Sequence, residues 1–252
     1  MDSKQPERLT NDQFMPLGAS FEIFHSPVHD TTKLHWHEFY EMSFILEGEG
    51  IHYLNGISYP AGKGHIFLLT PADFHEVVSN PANKLVLFNV IFTDEWLNED
   101  MRQLIFSDVG LHLTDLRDLD FSFIEAEFRL LWSESRQPKL GSRAVMQSAL
   151  ERIMITLTRA CLGEAHQRES SLTLFPQPSI RKALIYMQHH FRDNLTLEDV
   201  AKQAQFAPNY FSECFRNTVG TTFQNYLQEL RVKFAKSLLS VSQLSVTEIC
   251  YA

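Results

Sequence analysis

The feature that most constrains this chain is a change of hydrophobic period near Asp94. Before it, from about Phe21 to Phe92, short runs rich in Phe, Tyr, Ile and Val alternate with polar residues and are broken by Gly, Pro and Asn, as in strands. After it, apolar residues recur every three or four positions. Phe121, Ile124, Phe128 and Leu131 make one helical stripe, and Met146, Leu150, Ile153, Leu157 and Ala160 make a longer one. Residues 164–178, EAHQRESSLTLFPQP, keep neither period and hold two prolines, which predicts a linker. Residues 179–252 are again helical, with one Gly and one Pro. Side chains that alternate every two residues and every 3.6 residues bury different faces, so the two kinds of segment need separate layers. With 252 residues there is chain enough for two cores. The expected fold is α+β: an N-terminal arm (1–20), a β-barrel (21–95), a helical dimerisation segment (96–163), the linker, and an all-helical domain (179–252).

Composition excludes several classes. No apolar run approaches the roughly 20 residues needed to span a bilayer. The start, MDSKQPERLT, lacks the apolar stretch of a secretory signal, so a cytoplasmic protein with no membrane partner is expected. Cys161, Cys214 and Cys250 lie far apart and form neither a disulfide framework nor a CxxC site. The net charge of −9 is uneven. Residues 179–252 hold eight cations and six acids, for +2, which leaves −11 on residues 1–178. Nucleic acid would be repelled by the larger part and tolerated by the smaller.

Within the β-rich part, GIHYL-NG-ISYP predicts a hairpin, because Asn55-Gly56 suits the positive φ angles of a type I′ turn. The segment HWHEFYEMSFI carries the chemistry. On one extended strand His35, His37, Phe39, Glu41, Ser43 and Ile45 share a side, and Trp36 points to the other as a packing residue. TPADFHEV adds His75 after a Pro-containing turn. Such a cluster can hold a metal ion, hydrogen-bond an organic ligand directly, or serve only the structure. The spacing His35-x-His37, three residues, Glu41, six residues, Gly48, followed by Gly64, Thr70-Pro71-Ala72 and His75, resembles the two cupin motifs. The Gly usual before the first His is missing, and Ala72 stands where Gly is usual. The resemblance implies a barrel in which, in metal-dependent members, His35, His37, Glu41 and His75 are the ligands. For this chain the expectation is no metal cofactor, with these four groups, Phe39 and Ser43 binding a small-molecule effector. A divalent ion on the same four residues is the alternative.

The stretch LTLEDVAKQAQFAPNYFSECFRNTVGTTFQNYLQELR is the most informative. Thr196 is placed to cap a helix carrying Leu197, Val200 and Ala201, with Glu198 and Asp199 in its first turn. A turn at Gln205-Phe206-Ala207 follows, and Pro208 opens a second helix. Phe211, Cys214 and Phe215 form its buried face, while Asn209, Tyr210, Ser212, Glu213 and Arg216 occupy the others. This is a helix-turn-helix pattern. The Pro-x-Tyr-Phe-Ser start, Phe215-Arg216, Gly220, Phe223, Tyr226-Leu227, Arg231, Ala235, Leu238-Leu239 and Val246-Thr247-Glu248-Ile249 closely resemble the AraC/XylS family of bacterial transcription regulators. The resemblance implies a ligand-responsive regulator rather than an enzyme. It would read operator DNA through Asn209, Tyr210, Ser212, Glu213 and Arg216, sense a sugar or sugar derivative in its barrel, and work with RNA polymerase. Met146, Leu150, Ile153 and Leu157, at coiled-coil spacing, are the expected homodimer seam, with packing onto the barrel as the competing reading.

Three residues depart from the family pattern. Gln205 replaces the usual turn Gly and Ala207 the usual Ser cap, each a loss of about 1 kcal/mol. Glu213 stands where a basic residue is common. Only the first helix of a second helix-turn-helix follows the long helix expected at Thr222–Ser240, which leaves Val246, Ile249 and Cys250 as an apolar stripe, and a truncated record is expected. The alternatives are a metal-dependent cupin enzyme (a dioxygenase or isomerase), which leaves the C-terminal motif unexplained, and a dimerising fragment that does not bind DNA.

Overall fold

A computed structural model describes residues 7–28, 31–71, 73–98, 101, 114–115, 119–166, 178–241 and 244–250. Its strands are, in chain order, β1 (Glu7–Leu9), β2 (Phe21–Pro27), β3 (Thr31–His37), β4 (Tyr40–Glu47), β5 (Glu49–Leu54), β6 (Ile57–Gly62), β7 (His65–Leu69), β8 (Phe74–Ser79), β9 (Val86–Phe92) and β10 (Thr114–Asp115). They form two five-stranded sheets, ordered β1-β3-β8-β5-β6 and β10-β7-β4-β9-β2. All pairings are antiparallel except β1 with β3.

Turn chemistry sets the connections. Asn55 and Gly56 take φ angles of 50° and 82° between β5 and β6, as the hairpin signal predicted. Gly48 has φ 91°, and a Cβ there would stand 2.1 Å from the Lys84 carbonyl oxygen, so no other residue fits without moving backbone.

Two expectations need correction. HWHEFYEMSFI is not one strand: β3 ends at His37 and β4 begins at Tyr40 in the opposite sheet. The chain turns a corner at Glu38-Phe39, and because the corner takes two residues the alternation resumes in phase. Glu41 and Ser43 therefore still face inward, while Tyr40, Met42 and Phe44 face out into another core. Nor do residues 1–20 stay outside the sheets. Glu7, Arg8 and Leu9 pair with His35, Trp36 and His37, and the short helix α1 (Asn11–Phe14) follows.

The helices α2 (Leu119–Arg136) and α3 (Ser142–His166) cover the outer face of β4 and β9. Phe44 and Phe88 stack on Phe128 with ring centroids 5.4 and 5.8 Å apart. Leu150, Ile153 and Leu157 have no exposed surface and Met146 only 7 %. All four join Ile124, Phe128, Leu131, Phe44 and Val90 in one core. The dimer seam expected on these residues is thus occupied by the chain's own barrel, and freeing each side chain would cost about 1.5–3 kcal/mol.

Residues 167–177, most of the expected linker, lie outside the described residues. Beyond them come α4 (Pro178–His190), α5 (Leu197–Gln203), α6 (Pro208–Val219), α7 (Phe223–Val241) and α8 (Val246–Cys250). Their core gathers Ile180, Leu184, Met187, Phe191, Val200, Phe211, Phe215, Leu227, Phe234 and Ile249. Leu34, Trp36 and Phe74 of the barrel belong to the same cluster, so the two parts are packed together. Ile249, expected to lack partners, is buried here, while Val246 is 67 % exposed. Among the described residues no helix is long and apolar enough to cross a membrane.

Candidate functional site

A cavity of about 510 Å³ lies between the two sheets. Its apolar wall includes Phe14, Phe24, Phe39, Phe67, Leu87 and Ile91, and its polar end is His35, Glu41, Ser43, His75 and Asn89. Strand register explains the convergence. His35 is paired with His75 across β3 and β8, and Ser43 with Asn89 across β4 and β9.

Hydrogen bonds fix the imidazole tautomers. Nδ1 of His35 lies 2.7 Å from the Lys33 carbonyl oxygen, and Nδ1 of His37 lies 2.6 Å from that of Phe39. A carbonyl only accepts, so both Nδ1 atoms donate and both Nε2 atoms present lone pairs. Nε2 of His37 and Nε2 of His75 stand 3.6 and 3.7 Å from the same Glu41 Oε2, and neither has a hydrogen-bond partner. His75 Nδ1 meets His52 Nε2 at 3.3 Å, and His52 stacks on Phe67.

Burial sets the charges. It pushes Glu41 from 4.5 up to about 7, against the hydrogen bonds of Ser43 and Asn89. It pulls His37 down to about 3 and His52 to about 4, and it holds His35 and His75 below the usual imidazole range. The four histidines are neutral at pH 7, and Glu41 is the group that changes charge there. This end of the cavity therefore offers the His35 Nε2 lone pair to whatever enters, and Glu41 can accept or donate.

The donor set also fits a divalent ion. One ligand atom each from His35, Glu41 and His75 lie within 4.8 Å of one another, against about 3–4 Å for donors sharing an ion at about 2.1 Å. Two imidazoles and a carboxylate suit such an ion, and the Nδ1–H of His35 tied to a carbonyl is the usual support for a ligating imidazole.

The cavity thus brings together His35, Phe39, Glu41, Ser43 and His75, whereas His37 sits behind Glu41, stacked on Phe39 at 4.7 Å. Sequence reasoning missed His52 and Asn89. Both had a signal: His52 alternates inward on β5, and Asn89 is the lone polar residue in VLFNVIF.

The helical part carries a second surface. Thr196 and Asp199 form a reciprocal capping box at the start of α5. Gln205 turns the chain with φ 59°, a strained value for a residue with a Cβ, and Ala207 caps α6 without a side-chain bond. Phe211 and Phe215 are buried and Cys214 half-buried. Asn209, Tyr210, Ser212, Glu213 and Arg216 are all exposed. A shallow groove runs along Asn209, Ser212, Glu213, Arg216 and also Asn217, which the sequence reading had not included.

Residues 19–154 match the family model of the AraC-like ligand binding domain, and residues 200–252 match that of a helix-turn-helix domain. The uncharacterized HTH-type transcriptional regulator YfiF of Bacillus subtilis is 24 % identical over 235 residues, spanning 88 % of this chain and 71 % of that protein. The HTH-type transcriptional activator RhaR of Enterobacter sp. (strain 638) is 26 % identical over 224 residues, spanning 85 % and 76 %. Among solved structures, a ToxT variant from Vibrio cholerae is similar over 93 % of this chain and 88 % of its own, with a TM-score of 0.43 at 12 % identity. The AraC-like transcriptional activator CuxR is similar over 85 % and 72 %, with a TM-score of 0.39 at 10 % identity.

Proposed function

The chain belongs to the AraC family of transcription regulators, and on that footing we propose that its barrel cavity binds a neutral, hydroxyl-rich effector of the sugar class that governs operator binding by α6. It is a DNA-binding regulator with a ligand-binding domain, not a dioxygenase or isomerase. One observation carries the effector reading. The His35 Nε2 lone pair, the His75 imidazole and a carboxyl that burial pushes up to about 7 converge at one end of a cavity walled by Phe39 and Phe67. Neutral hydroxyls can donate to that lone pair, and aromatic rings can cover the C–H face of a sugar ring. We propose further that Asn209, Ser212 and Glu213 reach base edges, that Tyr210 and Arg216 contact the backbone, and that the regulator acts in the cytoplasm as a homodimer that contacts RNA polymerase.

The test begins with a duplex selected from random DNA by the purified protein. Its affinity is then measured with and without each member of a monosaccharide and sugar-acid panel. A change of fivefold or more with one sugar, lost in Glu41→Gln, supports the reading. No change with any sugar refutes the sugar class.

A second reading is favoured by the convergence of His35, Glu41 and His75. These residues would hold a divalent ion, which would supply a positive charge that keeps Glu41 ionised. Elemental analysis separates the two. Well under one ion per chain supports the direct reading, and one ion per chain, lost in both His35→Ala and His75→Ala, supports the metal.

A further inference from the structure

Helix α6 presents one line of polar side chains to the outside of the helical domain. Phe211 and Phe215 are buried, and Glu213 lies two residues from each, about 160° round the helix from both. Glu213 is therefore the residue aimed most directly away from the core. Asn209 and Asn217 stand four residues before and after it, on the same stripe. All three are exposed, and with Ser212 and Arg216 they line a shallow groove. Among the described residues, the side chains of Asn209, Glu213 and Asn217 form no hydrogen bond or ion pair, which leaves their polar groups to an outside partner. Tyr210 and Arg216 sit about 60° to either side of Glu213. Tyr210 is held there by the Phe206 ring, edge-on at 4.9 Å, and by a hydrogen bond with Cys214. From this stripe we infer that Glu213 determines specificity by selecting a C·G base pair at the centre of the site read by α6, flanked by A·T pairs that Asn209 and Asn217 select. The inference deepens the proposed reading of base edges by α6 and rests on it.

The donors and acceptors of each base decide the assignment. A carboxylate only accepts, so in the major groove it can bond the exocyclic amine of cytosine N4 or adenine N6. Adenine sets its N7 lone pair beside that amine, against the second carboxylate oxygen, whereas cytosine has only a C–H there. Guanine offers O6 and N7, and thymine offers O4, so both turn lone pairs toward the negative charge. Such a contact is repulsive rather than merely absent, and repelling the wrong partner adds to specificity. A carboxamide holds an acceptor and a donor on one fork, which matches the N6 and N7 edge of adenine. Along the helix, residues four apart are separated by about 6 Å, or about two base pairs when α6 lies along the groove. The stripe thus reads about five base pairs, with A·T at both ends and C·G in the middle. The acid also meets the field of the phosphates, so Glu213 lowers affinity for sequences that lack the cytosine.

The test selects duplexes from random DNA with the full chain, in parallel for the parent, Glu213→Ala and Glu213→Gln. Glu213 is exposed, so each variant is expected to fold, and circular dichroism checks this. The parent is expected to fix one C·G pair that Glu213→Ala leaves open. Glu213→Gln is expected to change it to A·T, because the new carboxamide pairs with adenine. In anisotropy titrations, replacing that C·G pair should weaken the parent about five- to fiftyfold, and Glu213→Ala should bind all four base pairs within about threefold. Asn217→Ala should relax an A·T pair about two positions away. A parent that enriches no sequence refutes base reading by α6, and this inference with it. An enriched sequence whose base preferences persist in Glu213→Ala refutes cytosine selection alone. A gain in affinity by Glu213→Ala that is equal for every duplex, the selected one included, refutes it too, since Glu213 would then only repel phosphate.

Discussion

Replacing Glu41 by Gln isolates the one pocket group whose charge changes near neutral pH. Glu41 is buried, and burial pushes its carboxyl from 4.5 to about 7. Between those two values the folded protein keeps a proton that the unfolded chain has released. The contribution of Glu41 to stability therefore falls as pH rises from 4.5 to 7, and it stays lower above that range. At about 1.4 kcal/mol for each pH unit, the loss amounts to about 3 kcal/mol. Gln has nearly the same shape, keeps a carbonyl that can accept from the Ser43 hydroxyl, and never ionises. Glu41→Gln is expected to be more stable than the parent by about 3 kcal/mol at pH 8 and to lie within about 1 kcal/mol of it at pH 5. Urea unfolding of both proteins at pH 5, 6, 7 and 8 in the presence of a chelator measures this, through the midpoint at unchanged slope. A difference that does not vary with pH would show that the carboxyl is not destabilised by burial. A variant less stable than its parent at pH 8 would show that the hydrogen bonds to the ionised form outweigh the cost of burying it.

Four further outcomes are expected. Leu150→Ala should lose about 3–5 kcal/mol and Leu150→Lys should fail to fold, since Leu150 lies in the core between α3 and the barrel; a folded monomer from Leu150→Lys would restore the dimer seam. Ala207→Ser should supply the missing cap of α6 and add about 1 kcal/mol, seen as a rise of several degrees in the melting of the helical domain, and an unchanged melting temperature would deny the cap. Arg216→Ala should weaken binding to all DNA sequences alike and reduce the salt slope by about one, whereas Asn209→Ala should lose about 1–3 kcal/mol on the selected duplex only; filter binding across salt concentrations and sequences tells these apart. His37 and His52 are held neutral by burial, at about 3 and about 4, so the stability they contribute is complete above 6.5 and is lost as pH falls toward 4. In Glu41→Gln, which lacks the opposing titration of Glu41, the urea midpoint should therefore drop steeply between pH 6 and 4.5, and a flat profile there would contradict it.

Local rules were legible wherever a residue's own chemistry decides the outcome. Asn55-Gly56 makes its turn because few residues accept two positive φ angles, and Thr196 caps α5 because a hydroxyl can reach a free N–H two or three residues on. Strand parity placed Glu41 and Ser43 inward, and it survived a corner that parity itself cannot reveal. The helix-turn-helix and the pocket pattern were legible as well, since both depend on spacing within short segments. What a segment packs against was not. The stripe Met146, Leu150, Ile153 and Leu157 has the same period whether it faces a second chain or its own barrel, and only the tertiary structure shows Phe44, Phe88 and Phe128 filling that side. Asn89 reaches the polar end of the cavity, and His52 comes up against His75, from strands far apart in sequence, through register. Trp36, set by alternation on the face away from the histidines, turns out to hold the helical domain through Arg192 and Phe234. The physical reason is common to all three cases: periodicity along a chain specifies that a face must be buried, while the identity of the surface that buries it depends on how distant segments meet.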